Sequence, residues 1–251
     1  MKRLTVLLVV AALMAACGGT ATANVAVKPS TPPGPVTKYR NALPGQTAVA
    51  PIDLIQSILF FAPGAASVVH MHTSSNLGTV LQGQVTIKMA SGDKQASAGE
   101  ALVEPLNQPV QAVNLGSGDA MVAVAFSVLH GAKPTAPIAG QPAPATPNKT
   151  LYSYTLASPN IVGAYSLIQQ VLDFAPGAQT LKHHHGGSGV ITVLQGQLTL
   201  NTDGAEKTYN AGDSFTELPG QTLQAFNRGS TELIVVATFI LADGAQLTTN
   251  V

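Results

Sequence analysis

Short apolar segments, each bounded by turn-forming residues, follow one another along most of the chain. They are rich in β-branched side chains, and examples are residues 79–81, 85–88, 121–128, 192–194, 198–200 and 233–240. None of them keeps the apolar spacing of an amphipathic helix. Asp203-Gly204 and Ser91-Gly92-Asp93 have the composition of hairpin turns. The pattern predicts an all-β protein of antiparallel strands, arranged as a sandwich or a barrel.

The chain contains two copies of one unit, offset by 113 positions, as Leu54 is from Leu167. Matching segments are Leu54-Ile55-Gln56 with Leu167-Ile168-Gln169, Phe61-Ala62-Pro63-Gly64 with Phe174-Ala175-Pro176-Gly177, and Val80-Leu81-Gln82-Gly83 with Val193-Leu194-Gln195-Gly196. The same offset relates His70-x-His72 to His183-x-His185, and Glu104 to Glu217. A constant offset without a gap over about 75 residues indicates a duplicated domain.

The N-terminus is typical of an exported protein. Basic residues at Lys2 and Arg3 precede an apolar run, residues 4–16, which is too short to span a bilayer and suits a signal peptide. Leu13-Met14-Ala15-Ala16-Cys17-Gly18 resembles the lipobox of bacterial lipoproteins, although Met14 stands where Leu is usual. The resemblance implies lipidation of Cys17 and a lipid anchor on a membrane of the bacterial envelope. An ordinary cleaved signal peptide or a buried cysteine is the alternative.

Two stretches rich in Pro, Ala, Thr and Gly separate the parts of the chain, at about residues 18–45 and 133–149. Such composition is typical of tethers and semi-extended linkers. The predicted organisation is a signal peptide at 1–16, a lipid-anchored disordered tether at 17–44, a first β-domain at 45–131, a Pro/Ala linker at 132–150 and a second β-domain at 151–251.

Charge and motifs exclude several function classes. The formal net charge is zero, only 10% of the residues are charged, and no basic patch is visible, so nucleic acid is not an expected partner. Cys17 is the only cysteine, and an internal disulfide is therefore excluded. The chain contains no nucleophile elbow, phosphate-binding loop or dinucleotide fingerprint. Metal or small-molecule chemistry at the histidine pairs remains.

The repeated motif resembles the first motif of the cupin superfamily, in particular small cupin-2-type proteins. The residues that carry the resemblance are Gly64, His70, His72 and Gly83, and again Gly177, His183, His185 and Gly196. A second motif is similar at Gly212, Pro219 and Asn227, and more weakly at Gly99 and Asn114. The resemblance implies two tandem cupin barrels of the jelly-roll type, packed against each other as an intramolecular pseudo-dimer.

Cupin metal sites usually hold two His, a Glu and a third His. Here Asn76 and Gly189 occupy the Glu position, and the third His position holds Val110 and Leu223. Alternate residues of a strand face one side, so the two His of each pair should point together into the barrel. The expected metal ligands are therefore His70, His72, His183 and His185, with possible additional ligands Glu217, Glu104 and Asn76.

Two interpretations of the histidine pairs stay open. Each barrel could hold one divalent transition metal (Mn, Fe, Ni, Cu or Zn), provided that Glu217 or Glu104 faces the His pair. Otherwise the imidazoles line a pocket or serve the structure, and the glutamates are solvated at the barrel mouth.

Three functions follow from these alternatives. The first is an envelope-anchored bicupin that binds a small molecule without turnover, which the incomplete ligand sets favour. The second is a metal-dependent enzyme of the dioxygenase, isomerase or decarboxylase type, acting on a small organic acid or sugar derivative. The third is an interaction platform at the envelope. Filling of the barrel interior by Leu181, Leu223 and Phe215 would count against the first two.

Overall fold

Strands, turns and loops make up the residues that the computed structural model describes, 32–251. The predicted signal peptide, the lipidation at Cys17 and the tether up to residue 31 lie outside this range. Over the described range, no helix is long and apolar enough to cross a membrane. The prediction of an all-β protein is confirmed.

The strands form two sets of ten, and the second set repeats the first. The first set comprises β1 (Val36–Ala48), β2 (Ile52–Phe61), β3 (His70–Met71), β4 (Ser75–Gln82), β5 (Gln84–Met89), β6 (Lys94–Ser97), β7 (Ala101–Leu102), β8 (Val110–Val113), β9 (Ala120–Leu129) and β10 (Ala136–Pro137). The second set comprises β11 (Lys149–Leu156), β12 (Gly163–Phe174), β13 (His183–His185), β14 (Ser188–Gln195), β15 (Gln197–Thr202), β16 (Ala205–Asn210), β17 (Ser214–Glu217), β18 (Leu223–Phe226), β19 (Leu233–Ala242) and β20 (Thr248–Asn250).

Each barrel consists of two five-stranded antiparallel sheets that enclose an apolar core. Barrel 1 has the strand orders β11-β2-β9-β4-β7 and β10-β3-β8-β5-β6. Barrel 2 has the orders β1-β12-β19-β14-β17 and β16-β15-β18-β13-β20. Corresponding strands occupy corresponding places, except that β1 and β11 have exchanged barrels.

The exchanged strands β1 and β11, here called the arms, correct two predicted boundaries. Residues 36–44 were expected in a disordered tether, but they form most of β1, which pairs along β12 of barrel 2. The arm β11, expected at the start of the second β-domain, pairs along β2 of barrel 1. Without the arms, β2 and β12 would be edge strands with unpaired backbone groups, and the arms satisfy those groups.

A tyrosine of each arm also packs against a glycine turn. A Cβ atom on Gly99 would lie 2.9 Å from the ring of Tyr39, and one on Gly212 would lie 3.0 Å from the ring of Tyr152. Both glycines have positive φ, 93° and 95°, so the turn and the close ring both require glycine. Tyr39 therefore connects barrel 2, with which its arm pairs, to a turn of barrel 1, and Tyr152 makes the reciprocal connection.

The segment expected as a Pro/Ala linker at 132–150 is part of barrel 1 rather than an extended spacer. Its strand β10 pairs with β3, and the amide of Ile138 donates to the carbonyl of Val69 at 3.0 Å. The amide of Ala66 donates to the carbonyl of Thr146 at 2.9 Å. Prolines fit here because the segment runs along a sheet edge, where a missing N–H costs little.

The two barrels pack against each other through equivalent surfaces. The shared apolar contact pairs residues at the repeat offset, and its fully buried members include Leu54 and Leu167, Ile58 and Val171, Leu77 and Val190, and Ala123 and Val236. Inside this contact, Gln56 donates to Thr192 Oγ1 at 2.7 Å. Residues 32–251 therefore form one unit, as expected for an intramolecular pseudo-dimer.

Asp53 joins three chain segments at one end of barrel 1. It is 5% exposed on β2 and accepts hydrogen bonds from the amides of Gly131 and Ser158, each at 2.9 Å. His130 Nδ1 lies 2.8 Å from Asp53 Oδ1. Gly131 follows β9 and Ser158 follows β11, so one carboxylate fixes where the chain leaves barrel 1 and where the arm β11 ends.

Candidate metal centre in barrel 1

His70 and His72 face the interior of barrel 1 from β3 and the residue after it. They are 7% and 1% exposed, while Met71 between them is half-buried. Strand alternation thus directs the two imidazoles to the same side, as predicted. Val110 pairs directly with His70 in the neighbouring strand β8, so the position opposite the first histidine supplies no ligand.

Three potential ligand atoms converge in barrel 1. His70 Nε2 and His72 Nε2 are 3.0 Å apart, and Glu104 Oε2 lies 2.5 Å from His72 Nε2 and 3.8 Å from His70 Nε2. Over residues 32–251, His70, His72 and Glu104 form the one group of three such residues whose ligand atoms all lie within 4.8 Å of one another. Glu104 therefore faces the histidines and is not solvated at the barrel mouth.

Backbone carbonyls fix the orientation of both imidazoles. His70 Nδ1 lies 2.9 Å from the carbonyl oxygen of Val68, and His72 Nδ1 lies 2.9 Å from that of Pro134. A carbonyl can only accept, so each Nδ1 carries a proton, and Nε2 is the atom that each ring directs into the cluster with Glu104. Metal-binding histidines typically use their second nitrogen in this way.

The electrostatics of the cluster favour a bound positive charge. Burial raises the pKa of Glu104, but hydrogen bonds and charge from His70 and His72 outweigh burial and lower this pKa to about 2. Burial lowers the pKa of His70, yet the hydrogen bond and charge of Glu104 raise it above its ordinary value. The carboxylate is thus ionised and attracts positive charge, which protons on the imidazoles supply here and which a metal ion could supply in their place.

Asn76 acts on the cluster through the backbone of Glu104. Its Oδ1 accepts from the Glu104 amide at 2.8 Å, and its Nδ2 donates to the Glu104 carbonyl at 3.1 Å. The expectation that Asn76 is an additional ligand is not supported by this geometry, because both polar atoms of its side chain are engaged. Asn76 instead positions the segment after β7 that carries Glu104.

Barrel 2 keeps a looser version of the arrangement. His183 Nε2 and His185 Nε2 are 3.2 Å apart, and Glu217 Oε2 lies 3.1 Å from His185 Nε2. Their Nδ1 atoms bond to the carbonyls of Leu181 and Leu247. Burial lowers the pKa of His183, so this environment disfavours a positive charge on that ring. The expectation of equivalent metal ligands in both barrels is therefore supported better in barrel 1.

Gly189 explains part of this difference, since it stands where barrel 1 has Asn76. A Cβ atom on Gly189 would lie 2.4 Å from the ring of Phe239. The ring fills the space of the missing side chain and packs on His185 at a centroid distance of 4.4 Å. In barrel 2, Glu217 pairs through its backbone with Gly189, so no side-chain amide separates the two strands.

A cavity of about 420 Å³ opens beside His70, His72 and Glu104 in barrel 1. This volume lies within the range of small-molecule sites, roughly 300–1,000 Å³. At two lining positions, Gly78 and Leu102, barrel 2 carries the larger buried residues Ile191 and Phe215.

Three residues were expected to decide whether the barrel interior is filled, and in barrel 2 two of them do so. Phe215 is 5% exposed and stacks on Tyr209 at a centroid distance of 4.1 Å, and Leu223 is fully buried in the same core. Leu181 is 62% exposed and fills nothing.

The sequence patterns missed the contribution of the segment 132–150 to the site. Pro134, Thr135, Pro147 and Asn148 line the cavity, and the carbonyl of Pro134 orients His72. The repeat offset of 113 positions relates Pro134 to Leu247, whose carbonyl orients His185 in the same way. Comparison of the side chains of Pro134 and Leu247 could not reveal this equivalence, because each residue contributes only its backbone carbonyl to the histidine.

Solved structures with the same fold come from several organisms. The AerE protein of Microcystis aeruginosa is 17% identical, with 83% of this chain and 98% of that chain covered and a TM-score of 0.53. Oxalate decarboxylase of Bacillus subtilis, which has Mn(II) centres, is 14% identical over 89% of this chain and 82% of that chain, with a TM-score of 0.59. Vicilin of Solanum melongena is 12% identical over 83% and 84%, with a TM-score of 0.62. At these identities the likeness is one of fold.

Sequence comparison leads to the family. No curated protein sequence matches the chain significantly. The cupin domain family, however, matches residues 57–127 and again residues 170–239, which together are more than half of the 251 residues. The two matches coincide with the barrels that carry the two histidine pairs. The protein therefore belongs to the cupin domain family and contains two cupin domains in tandem.

Proposed function

We propose that barrel 1 binds a divalent transition metal through His70, His72 and Glu104 and holds a small molecule in the adjoining cavity. The observation that carries this proposal is the convergence of His70 Nε2, His72 Nε2 and Glu104 Oε2 while both Nδ1 atoms bond to backbone carbonyls. Positive charge must balance the buried carboxylate, and a metal ion could replace the Nε2 protons that now hydrogen-bond within the cluster.

The donor set fits a first-row metal. Two imidazoles and one carboxylate suit Mn, Fe, Ni, Cu or Zn, whereas Ca²⁺ and Mg²⁺ prefer oxygen ligands alone. The Mn(II) centres of the oxalate decarboxylase from Bacillus subtilis make Mn²⁺ a natural first choice among these. Barrel 2, with its filled interior, serves to complete and support barrel 1.

Metal content tests the proposal. We expect the protein, purified without a His tag and incubated with Mn²⁺, Fe²⁺, Ni²⁺, Cu²⁺ or Zn²⁺, to retain about one equivalent of metal after dialysis, measured by mass spectrometry. His70→Ala should remove this equivalent, whereas the matched variant His183→Ala in barrel 2 should retain it. No bound metal, or equal losses in both variants, would contradict the assignment to barrel 1.

An enzyme is the second candidate, and the position of the cavity favours it. His70, His72 and Glu104 themselves line the cavity, and the set of two histidines and one carboxylate is the one that oxygen-activating iron proteins use with open positions. A bound metal would supply Lewis-acid or redox chemistry there, while Phe126 and the segment 132–150 would limit access of water. Oxygen uptake by the Fe²⁺-loaded protein with candidate compounds would distinguish turnover from binding.

We also propose that the protein is exported and anchored through Cys17 to a membrane of the bacterial envelope. The signal peptide pattern and the lipobox-like segment before Cys17 support this proposal. Two or more acyl chains would hold the barrels stably at the membrane surface. Radiolabelled palmitate should be incorporated by the wild-type protein in bacterial cells and not by Cys17→Ser, and equal labelling of both would exclude this anchor.

A further inference from the structure

The walls of the barrel 1 cavity, apart from the metal-binding cluster, are mainly apolar. They are formed by Leu59, Phe61, Val85, Ile87, Val122 and Phe126, among others. Among residues 32–251, neither Lys nor Arg lines the cavity, and Glu104 is the only acidic residue that does. The cavity therefore offers an anion no partner besides the cluster itself.

Most polar side chains of the inner wall are already hydrogen-bonded within the protein. Ser67 Oγ accepts from the Ala112 amide at 3.0 Å, and both polar atoms of Asn76 bond to the backbone of Glu104. Ser57 Oγ lies 2.9 Å from Ser153 Oγ. The remaining polar side chains, Thr135, Asn148 and Thr150, are half-buried or exposed, on the segment 132–150.

This distribution sets the chemistry that the cavity can accept. A sugar or a polycarboxylic acid would give up many hydrogen bonds to water and find few replacements on apolar walls. A molecule with an apolar body would gain by burial, since burial of apolar surface is favourable. One oxygen donor on such a molecule could meet the metal at the cluster.

We infer that the ligand of barrel 1 is a mainly apolar molecule with a single oxygen donor, such as a phenol, and not a sugar or polycarboxylic acid. The position of the donor rests on the proposed function, whereas the apolar body rests on the cavity alone. This class differs from the small organic acids and sugar derivatives that the family resemblance suggested.

The second barrel supplies a substitution that fills the cavity. Leu102 lines the cavity, and Phe215, buried at the equivalent position of barrel 2, shows that the fold accommodates a phenylalanine there. Leu102 does not contribute to the cluster of His70, His72 and Glu104. Leu102→Phe should therefore occupy ligand space and leave metal binding intact, and Phe215→Leu is the matched control in barrel 2.

The experiment is calorimetric titration of the full-length protein, loaded with Zn²⁺ and metal-free, with 2-naphthol, malonate and glucose. We expect 2-naphthol to bind at least about ten-fold more tightly than the two polar probes. Leu102→Phe should weaken this binding at least about ten-fold without changing Zn²⁺ stoichiometry, and Phe215→Leu should not weaken it. Val85→Leu, which copies Leu198 of barrel 2, is the milder second variant should Leu102→Phe not fold.

The outcomes separate the ligand class from the metal. Binding of Zn²⁺ combined with equal or tighter binding of malonate or glucose would overturn the ligand class and leave the metal site standing. Binding of 2-naphthol that is lost in Leu102→Phe, in a protein that binds no Zn²⁺, would support the apolar cavity and overturn the metal site. Binding of 2-naphthol that neither Leu102→Phe nor Val85→Leu weakens would place the probe elsewhere and overturn the inference.

Discussion

Glu104→Gln is expected to weaken metal binding to the protein by at least about 100-fold. Loss of supporting hydrogen bonds around a metal typically costs 10- to 100-fold, and this change removes the only carboxylate of the cluster, whose oxygen lies 2.5 Å from His72 Nε2. Glutamine keeps the size of the side chain but donates N–H groups and carries no charge. The remaining pair of imidazoles cannot balance a divalent cation in a buried position.

The same change at the equivalent position of barrel 2 provides the control. Glu217→Gln should leave the affinity of the tight site unchanged, because Glu217 belongs to the looser arrangement around His185. Competition for Zn²⁺ against a coloured chelator measures both affinities on the same scale. If Glu104→Gln binds Zn²⁺ like the wild type, or if Glu217→Gln is the damaging change, the assignment to barrel 1 is wrong.

Asp53→Ala is expected to lower the free energy of unfolding by about 3–5 kcal/mol. The change removes the hydrogen bonds that the amides of Gly131 and Ser158 donate to a charged carboxylate, and each bond to a charged group contributes roughly 1.5–3 kcal/mol. The contact of Asp53 with His130 is lost as well. Urea unfolding of the two proteins measures the difference, and Glu206→Ala, which breaks an exposed ion pair with Arg228, should change stability far less.

The contribution of Asp53 should depend on pH in one direction. Burial raises the pKa of Asp53, but hydrogen bonds from Gly131, His130 and Ser158 outweigh burial and hold it below its ordinary value of 3.8. A carboxylate with a lowered pKa stabilises the folded state fully above the unfolded-state value, and this stability is lost as the pH falls through the folded-state pKa. The charge-dependent part of the stability difference between wild type and Asp53→Asn should thus be constant above about pH 5 and shrink below about pH 4. A difference that grows on acidification would be inconsistent with this role.

The fold and the histidine positions could be predicted because they depend on local patterns. Strand alternation places His70 and His72 on one face, and the constant offset transfers every such conclusion to His183 and His185. The inward orientation of Glu104 was only one of two open alternatives. In barrel 1 the amide of Asn76 holds the backbone of Glu104, whereas in barrel 2 Glu217 pairs with Gly189 through the backbone. No periodic pattern encodes either contact.

Contacts between distant segments account for what could not be predicted. The segment 36–44 has the composition of a tether, yet it forms a strand because β12 presents an unpaired edge. The offset did contain a weak indication, since Thr37-x-Tyr39 recurs as Thr150-x-Tyr152. The difference between the two barrel interiors likewise could not be predicted. It depends on side-chain volume, since Ile191 and Phe215 of barrel 2 replace Gly78 and Leu102 of barrel 1, and hydrophobic patterning does not measure volume.

The exchanged arms have a consequence for how the duplicated halves can diverge. A single unit could close its outer sheet only with an arm from another molecule, at whatever concentration the cell provides. Fusion of the two units supplies the arm at a fixed, high effective concentration. The second half must then keep its arm, β11, for the outer sheet of barrel 1 to be complete, while the side chains inside barrel 2 are free to change. One half of the chain thus becomes a permanent folding partner of the other. The two halves can diverge in the side chains inside each barrel, whereas the arms, the edge strands and the surfaces between the barrels must be kept.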